Sequence, residues 1–92
     1  MGNAICVRFF AILREIAGKE RAIFEFNYRP SIQEVLEKVL AEIPSLDGTF
    51  FKDGHLNEGY KIMSGKEFVN PSELGKKLAD ETLIILPPVS GG

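Results

Sequence analysis

One amphipathic segment, residues 31–44, constrains the fold more than any other part of the sequence. Ser31 and Glu34 have the spacing of a capping box, in which the side chain of each accepts a hydrogen bond from the backbone N–H of the other. Pro44 cannot continue a helix, so the predicted helix ends before it. Between these ends, apolar residues recur at spacings of three and four: Ile32, Val35, Leu36, Val39, Leu40 and Ile43. Because so short a helix is not stable alone in water, this stripe must cover another apolar surface.

The remaining sequence is patterned for strands that would supply this surface. Residues 5–13 alternate at period two, and residues 21–27 alternate again after a turn that contains Gly18, so the two segments predict a β-hairpin. Further strands are predicted near residues 50–51, in a short hairpin at 60–63 and 66–69, and in the continuous apolar run at 82–86. Without the short strand near residues 50–51, the predicted order is strand, strand, helix, strand, strand, strand, which is that of an α+β domain with two layers.

The second face of the first predicted strand carries more apolar surface than a solvated face would favour. Phe10 and Ile12 lie there beside Cys6 and Arg8. Large apolar side chains that share one face are usually covered. Either another element of the chain or a partner protein covers them, and the sequence leaves both alternatives open.

Length and charge exclude several classes of function. A chain of 92 residues forms one domain and is too small to enclose a roomy active site. Its net charge of −2 lacks the basic excess that binding to nucleic acid requires. No apolar segment is long enough to cross a membrane, and the start lacks the features of a signal peptide. The single cysteine, Cys6, cannot form an internal disulfide, so a reducing compartment, the cytoplasm, is expected.

Few residues are candidates for chemistry of their own. His55 follows Asp53 and Gly54, where a turn residue is a simpler explanation than a metal ligand. Cys6 alternates with core residues and has no histidine near it in sequence, so a packed thiol is expected. The sequence contains no phosphate-binding loop, no serine-nucleophile motif and no acid–base set. We therefore expect no bound metal and no independent enzymatic activity.

The last six residues differ in character from the rest of the chain. No side chain after Glu81 is charged, and Pro87 and Pro88 cannot continue a hydrogen-bonded strand. We therefore divide the chain into a domain at residues 1–86 and a flexible tail at residues 87–92. Gly91 and Gly92 leave the terminal carboxylate unobstructed, as an enzyme that reaches it through a narrow channel would require. The alternative is a frayed, inert terminus.

Both ends of the sequence resemble those of the small subunit of molybdopterin synthase, a ubiquitin-like sulfur carrier with the β-grasp fold. The opening motif is FFAILRE at residues 9–15, followed by Gly18, and the closing motif is LIILPPVSGG at residues 83–92. The resemblance covers essentially the whole chain. It implies a mixed sheet of four to five strands with one long helix across one face.

The resemblance implies that Gly92 is the reactive residue. An ATP-dependent adenylyltransferase similar to ubiquitin-activating enzymes would adenylate its carboxylate, and sulfur from a donor would then replace the adenylate to give a thiocarboxylate. The large catalytic subunit of molybdopterin synthase would use this sulfur to build the dithiolene of molybdopterin. The chain would bind no cofactor itself, and it would be a co-substrate and not the catalyst.

The resemblance also assigns roles to two groups of residues. The residues expected to insert into the large subunit with Gly92 are Pro87, Pro88, Val89, Ser90 and Gly91. The docking surface would be an apolar sheet patch that includes Phe10, Arg14 and Leu86. The alternatives are a carrier for another sulfur product, a ubiquitin-like modifier joined to lysines through Gly92, and a binding module with an inert tail. The opening motif argues against a carrier of the thiamine type.

Overall fold

A computed structural model describes residues 2–88, which are built around a five-stranded mixed sheet. In chain order the elements are β1 (Asn3–Phe9), α1 (Ile12–Ala17), β2 (Arg21–Phe26), α2 (Ile32–Glu42), β3 (Phe51–Lys52), β4 (His55–Leu56), β5 (Lys61–Ser64), β6 (Glu67–Phe68) and β7 (Thr82–Leu86). The sheet has the order β2-β1-β7-β5-β6, in which β1 and β7 are parallel and the other pairs are antiparallel. The predicted α+β architecture is confirmed, and β7 lies at the centre of the sheet.

The long helix α2 begins as its sequence predicts. Ser31 Oγ accepts a hydrogen bond from the backbone N–H of Glu34 at 3.1 Å, and Glu34 Oε1 accepts one from the backbone N–H of Ser31 at 2.9 Å. The helix ends at Glu42, and Pro44 opens a short 3₁₀ turn. The capping box and the stop at Pro44 are therefore both confirmed.

The apolar stripe of α2 and the inner face of the sheet enclose one hydrophobic core. From the helix this core receives Ile32, Val35, Leu36 and Val39, and from the sheet Ile5, Val7, Phe9, Phe24, Phe26, Ile62, Leu83 and Ile85. Within residues 2–88, no charged or polar residue is buried. The core thus covers one face of the sheet, and helix α2 does not cover the opposite face.

The first predicted strand is too long, because a turn at residues 10–11 and the start of a helix replace its last four residues. β1 ends at Phe9, and Ala11 has a φ of 52°, a backbone conformation that interrupts a strand. Residues 12–17 then form α1, which buries Leu13 and ends at Gly18, whose left-handed conformation lets its N–H bond to the Arg14 carbonyl. The predicted antiparallel pairing of β1 with β2 is correct, with α1 in the connection between them.

The segment from residue 45 to residue 59 contains a second, two-stranded sheet. β3 and β4 are joined by Asp53 and Gly54, which both have positive φ, as a tight hairpin turn requires. The strand predicted near residues 50–51 is therefore confirmed one residue later. His55, interpreted above as a turn residue, belongs instead to β4 and lies opposite Lys52.

Candidate functional site: the outer sheet face and the start of the tail

The parallel pairing of β1 with β7 brings the two ends of the sequence together. Phe9 is opposite Ile85 in this parallel pair. Phe10 and Leu86, the residues that follow them, therefore lie side by side at the same end of the two strands. Phe10 and Leu86 are both half-buried. Arg14 lies off the sheet, exposed on α1. The structure therefore places two of the three predicted docking residues side by side and the third on the neighbouring helix.

A continuous apolar strip crosses the outer face of the sheet from β1 to β6. The register places Ile84 opposite Met63 and Met63 opposite Phe68, all on the face that α2 does not cover. Phe68 is 63% exposed, whereas Met63 and Ile84 are half-buried. We call the following residues the outer-face band: Phe10, Met63, Phe68, Ile84 and Leu86. Exposed apolar surface of this kind is typical of a site for another protein.

Cationic side chains border the outer-face band. The Arg8 guanidinium lies 5.0 Å from the centre of the Phe10 ring, and Lys61 Nζ lies 5.6 Å from the centre of the Phe68 ring. Arg21 lies directly opposite Arg8 in the β1–β2 register. Like charges in this position repel each other, and an acidic partner surface would remove that cost. The face is therefore suited to a partner with an apolar centre and acidic groups around it.

The sequence singled out Phe10 and Leu86 but missed the contributions of β5 and β6. Met63 and Phe68 join the face only through long-range strand pairing, for which the sequence contains no local signal. Ile84 could have been found, because period two places it on the same face as Leu86. Arg8 could have been found in the same way, from its alternation with Phe10.

The predicted tail begins at the end of this face. β7 ends at Leu86, Pro87 is half-buried and Pro88 is exposed. Val89, Ser90, Gly91 and Gly92 lie outside the described residues, so the predicted reactive carboxylate and most of the predicted inserting segment stay predictions. What the structure adds is the origin of the tail, which is the central strand of the sheet.

Two carboxylates away from this face, Glu34 and Glu73, accept hydrogen bonds from residues near them in sequence. The backbone N–H of Ser31 and the hydroxyl of Tyr28 donate to the Glu34 carboxylate, and these hydrogen bonds lower the pKa of Glu34. Lys76 Nζ donates to Glu73 at 2.6 Å, which lowers the pKa of Glu73.

In the part of the chain from residue 2 to residue 88, no three His, Cys, Asp or Glu side chains are grouped to hold a metal ion. None of the helices in that range is long and apolar enough to span a bilayer.

Known proteins are similar to this chain in sequence and fold over nearly their full lengths. Small archaeal modifier protein 3 of Haloferax volcanii is 28% identical over 88 residues, which cover 94% of this chain and 96% of the relative. The molybdopterin synthase sulfur carrier subunit of Chlamydomonas reinhardtii is 27% identical over 88 residues, which cover 96% and 98% of the two chains. The crystal structure of SAMP1 from Haloferax volcanii matches with a TM-score of 0.81 and 26% identity, covering 97% of this chain and 99% of that one.

These similarities confirm the β-grasp fold and the resemblance to ubiquitin-like sulfur carriers. The relatives are named for two roles, a sulfur carrier subunit and a small modifier protein. The model of the ThiS family matches residues 7–92, which include both the opening motif at residues 9–15 and the Gly-Gly end. The chain therefore belongs to the ThiS family.

Proposed function

We propose that this chain is the sulfur-carrying small subunit of a molybdopterin synthase. The observation that carries the proposal is the position of the tail, which leaves the central strand β7 at the edge of the outer-face band. A partner that docks on the band meets the start of the tail, Pro87 and Pro88, at the border of its own contact surface. The match to a molybdopterin synthase sulfur carrier subunit and the FFAILRE motif support the choice of pathway.

The proposed chemistry takes place at the carboxylate of Gly92. A carboxylate is a poor electrophile, so it first attacks the α-phosphorus of ATP and releases pyrophosphate, which leaves an acyl adenylate. Sulfur from a donor at the oxidation level of sulfide then displaces AMP and gives the thiocarboxylate. An adenylyltransferase holds the ATP and the large subunit holds the pterin precursor, so the chain acts as a protein co-substrate in the cytoplasm.

The tail needs little from its own side chains in this scheme. Gly91 and Gly92 have no Cβ that would obstruct a narrow channel in either partner. Pro87 and Pro88 restrict the backbone at the point where the tail leaves the sheet. The outer-face band, together with Arg14 on α1, would supply the docking affinity, and the tail would supply the reactive group.

Intact-mass spectrometry tests the proposal. The chain is incubated with its adenylyltransferase, ATP and a sulfur donor, and we expect the mass change of one oxygen-to-sulfur exchange. The matched control lacks Gly91 and Gly92, which lie beyond the described core, and should keep its circular dichroism spectrum and gain no sulfur. A full-length chain that stays unmodified under conditions in which the adenylyltransferase is active would contradict the proposal.

The names of the archaeal relatives favour a second candidate, a protein modifier joined to lysines through Gly92. The same adenylate would then be attacked by a lysine amine, and an isopeptide bond would form as AMP leaves. Peptide mass spectrometry of cell extracts distinguishes the two functions. An isopeptide between Gly92 and a lysine of another protein supports the modifier, whereas only free chain with a thiocarboxylate terminus supports the carrier.

A further inference from the structure

Pro88, the last residue that the structure describes, packs against the turn between β4 and β5. A Cβ atom added to Gly59 would lie 2.7 Å from Pro88 Cβ and 3.3 Å from Pro88 Cγ. The strand register explains this contact. Lys61 is opposite Leu86, and the same antiparallel register continued by two residues places Gly59 opposite Pro88. Only a residue without a side chain permits this approach at position 59.

The turn that carries Gly59 is tied to the body of the domain. The backbone N–H of Tyr60 donates to the Asn57 carbonyl at 3.1 Å, and Gly59 occupies the third position of this turn with a φ of 87°. The Asn57 side chain donates to the Thr49 carbonyl at 2.8 Å, and its backbone N–H donates to the Phe50 carbonyl at 2.7 Å. Pro88 therefore rests on a support that is itself held in place.

We propose that Gly59 is a positioning residue for the C-terminal tail. The close contact fixes where Pro88 lies beside β5, and with it the direction in which the chain leaves the sheet. The inference rests on the proposed function, because a defined direction matters only if the terminal carboxylate is delivered to another protein. It assigns Gly59 no contact with ATP, sulfur or the pterin.

A side chain at position 59 would displace Pro88 outward. The proline ring is rigid and its φ is fixed, so a shift at its Cβ moves the backbone that follows. A misplacement of about 1 Å that is caused by a substitution far from the reacting atoms can lower the rate by about 100-fold. We therefore expect a Gly59→Ala variant to lose about 10- to 100-fold in kcat/KM for adenylation.

Gly48 provides a matched control for this variant. Its φ of 80° is close to that of Gly59, so alanine introduces similar backbone strain at both positions, but a Cβ on Gly48 meets no atom within 4 Å. A Gly48→Ala variant should therefore share the loss of stability caused by a positive φ and keep the adenylation rate of the parent chain. The Gly48 carbonyl accepts a hydrogen bond from the Asn57 side chain at 3.3 Å, which alanine keeps, so the difference between the two variants reports the contact with Pro88.

The contact is tested first on the free chain by NMR. We expect nuclear Overhauser effects between the Gly59 and Pro88 protons in the parent chain and in the Gly48→Ala variant. In the Gly59→Ala variant we expect the corresponding effects between positions 59 and 88 to be lost. Absence of these effects in the parent chain would overturn the inference, whatever the chain does with ATP.

The functional test measures kcat/KM for adenylation of the parent chain and of both alanine variants. Gly59→Ala is then combined with each of two substitutions of Pro88. Pro88→Gly removes the clashing Cβ and Cγ, so the penalty of Gly59→Ala should disappear. Pro88→Ala keeps the Cβ, so the penalty should persist. Equal rates for the Gly59→Ala and Gly48→Ala variants would overturn the inference. A parent chain that is never adenylated would refute the proposed function instead, and the NMR contact would still be judged separately.

Discussion

The two faces of the central sheet carry similar apolar residues but differ in what covers them. On the inner face Ile85 is fully buried in the core that α2 covers, and within residues 2–88 no polar or charged residue is buried. On the outer face its neighbour Ile84 is half-buried, and Phe68 is exposed beside Lys61. Alternate residues of one strand therefore serve different purposes. The inner face holds the fold together, and the outer face is available to a partner.

The largest expected effect is a difference in stability between substitutions of two adjacent isoleucines of β7. Ile85→Ala should lower the free energy of unfolding by about 2–5 kcal/mol, because it leaves a cavity in a closed core. Ile84→Ala removes the same atoms from the outer face and should cost about 1 kcal/mol or less. Urea unfolding of both variants measures the two values. Equal losses would show that both faces support the fold alike.

Phe68 gives the complementary test, in which binding changes and stability does not. Because Phe68 is 63% exposed, Phe68→Ala should change the free energy of unfolding by about 0.5 kcal/mol or less. Removing this large, exposed aromatic side chain from the band should weaken binding of the large subunit by about tenfold or more. Titration calorimetry measures the affinity, with Ile23→Ala as the control. Ile23 is exposed on the same face but lies outside the outer-face band, on β2. Equal losses of affinity for both variants would show that the outer-face band binds the partner no better than the rest of that face.

The smallest expected effect lies at the start of α2 and concerns pH. Hydrogen bonds from the Ser31 backbone and the Tyr28 hydroxyl lower the pKa of Glu34. The folded pKa lies below the unfolded value of about 4.3, so the stability that ionised Glu34 adds is complete above that value. It is lost as the pH falls through the folded pKa.

Urea midpoints between about pH 6 and pH 3 test this expectation. The parent chain should lose more stability on acidification than a Glu34→Gln variant, which keeps a capping acceptor but cannot be protonated. Binding of the large subunit should be the same for both chains at neutral pH. An identical pH dependence would show that the Glu34 carboxylate contributes nothing to the titration of stability.

Local signals in the sequence were sufficient for the elements that depend on near neighbours. The capping box at Ser31 and Glu34 and the apolar run at residues 82–86 predicted α2 and β7 correctly, because each needs only residues within a few positions. Helix α1 was missed. The apolar residues 11 and 13 fit the alternation of a strand as well as they fit a helix. The positive φ of Ala11, which separates β1 from α1, is unusual for alanine and could not be expected.

The sequence predicted only part of the candidate site. Phe10 and Leu86 belong to motifs at the two ends of the chain, and the parallel pairing of β1 with β7 brings them together. Met63 and Phe68 depend on pairings between distant strands, which no local pattern specifies. The contact of Gly59 with Pro88 depends on the same register and was equally out of reach.

Transfer of sulfur from the chain to a pterin tests the central claim most directly. The thiocarboxylated chain is mixed with the large synthase subunit and the cyclic pyranopterin precursor, and its intact mass is followed over time. We expect the mass to return to that of the carboxylate form at Gly92 while a dithiolene-containing pterin appears. A chain that binds the large subunit but keeps its sulfur would contradict the account.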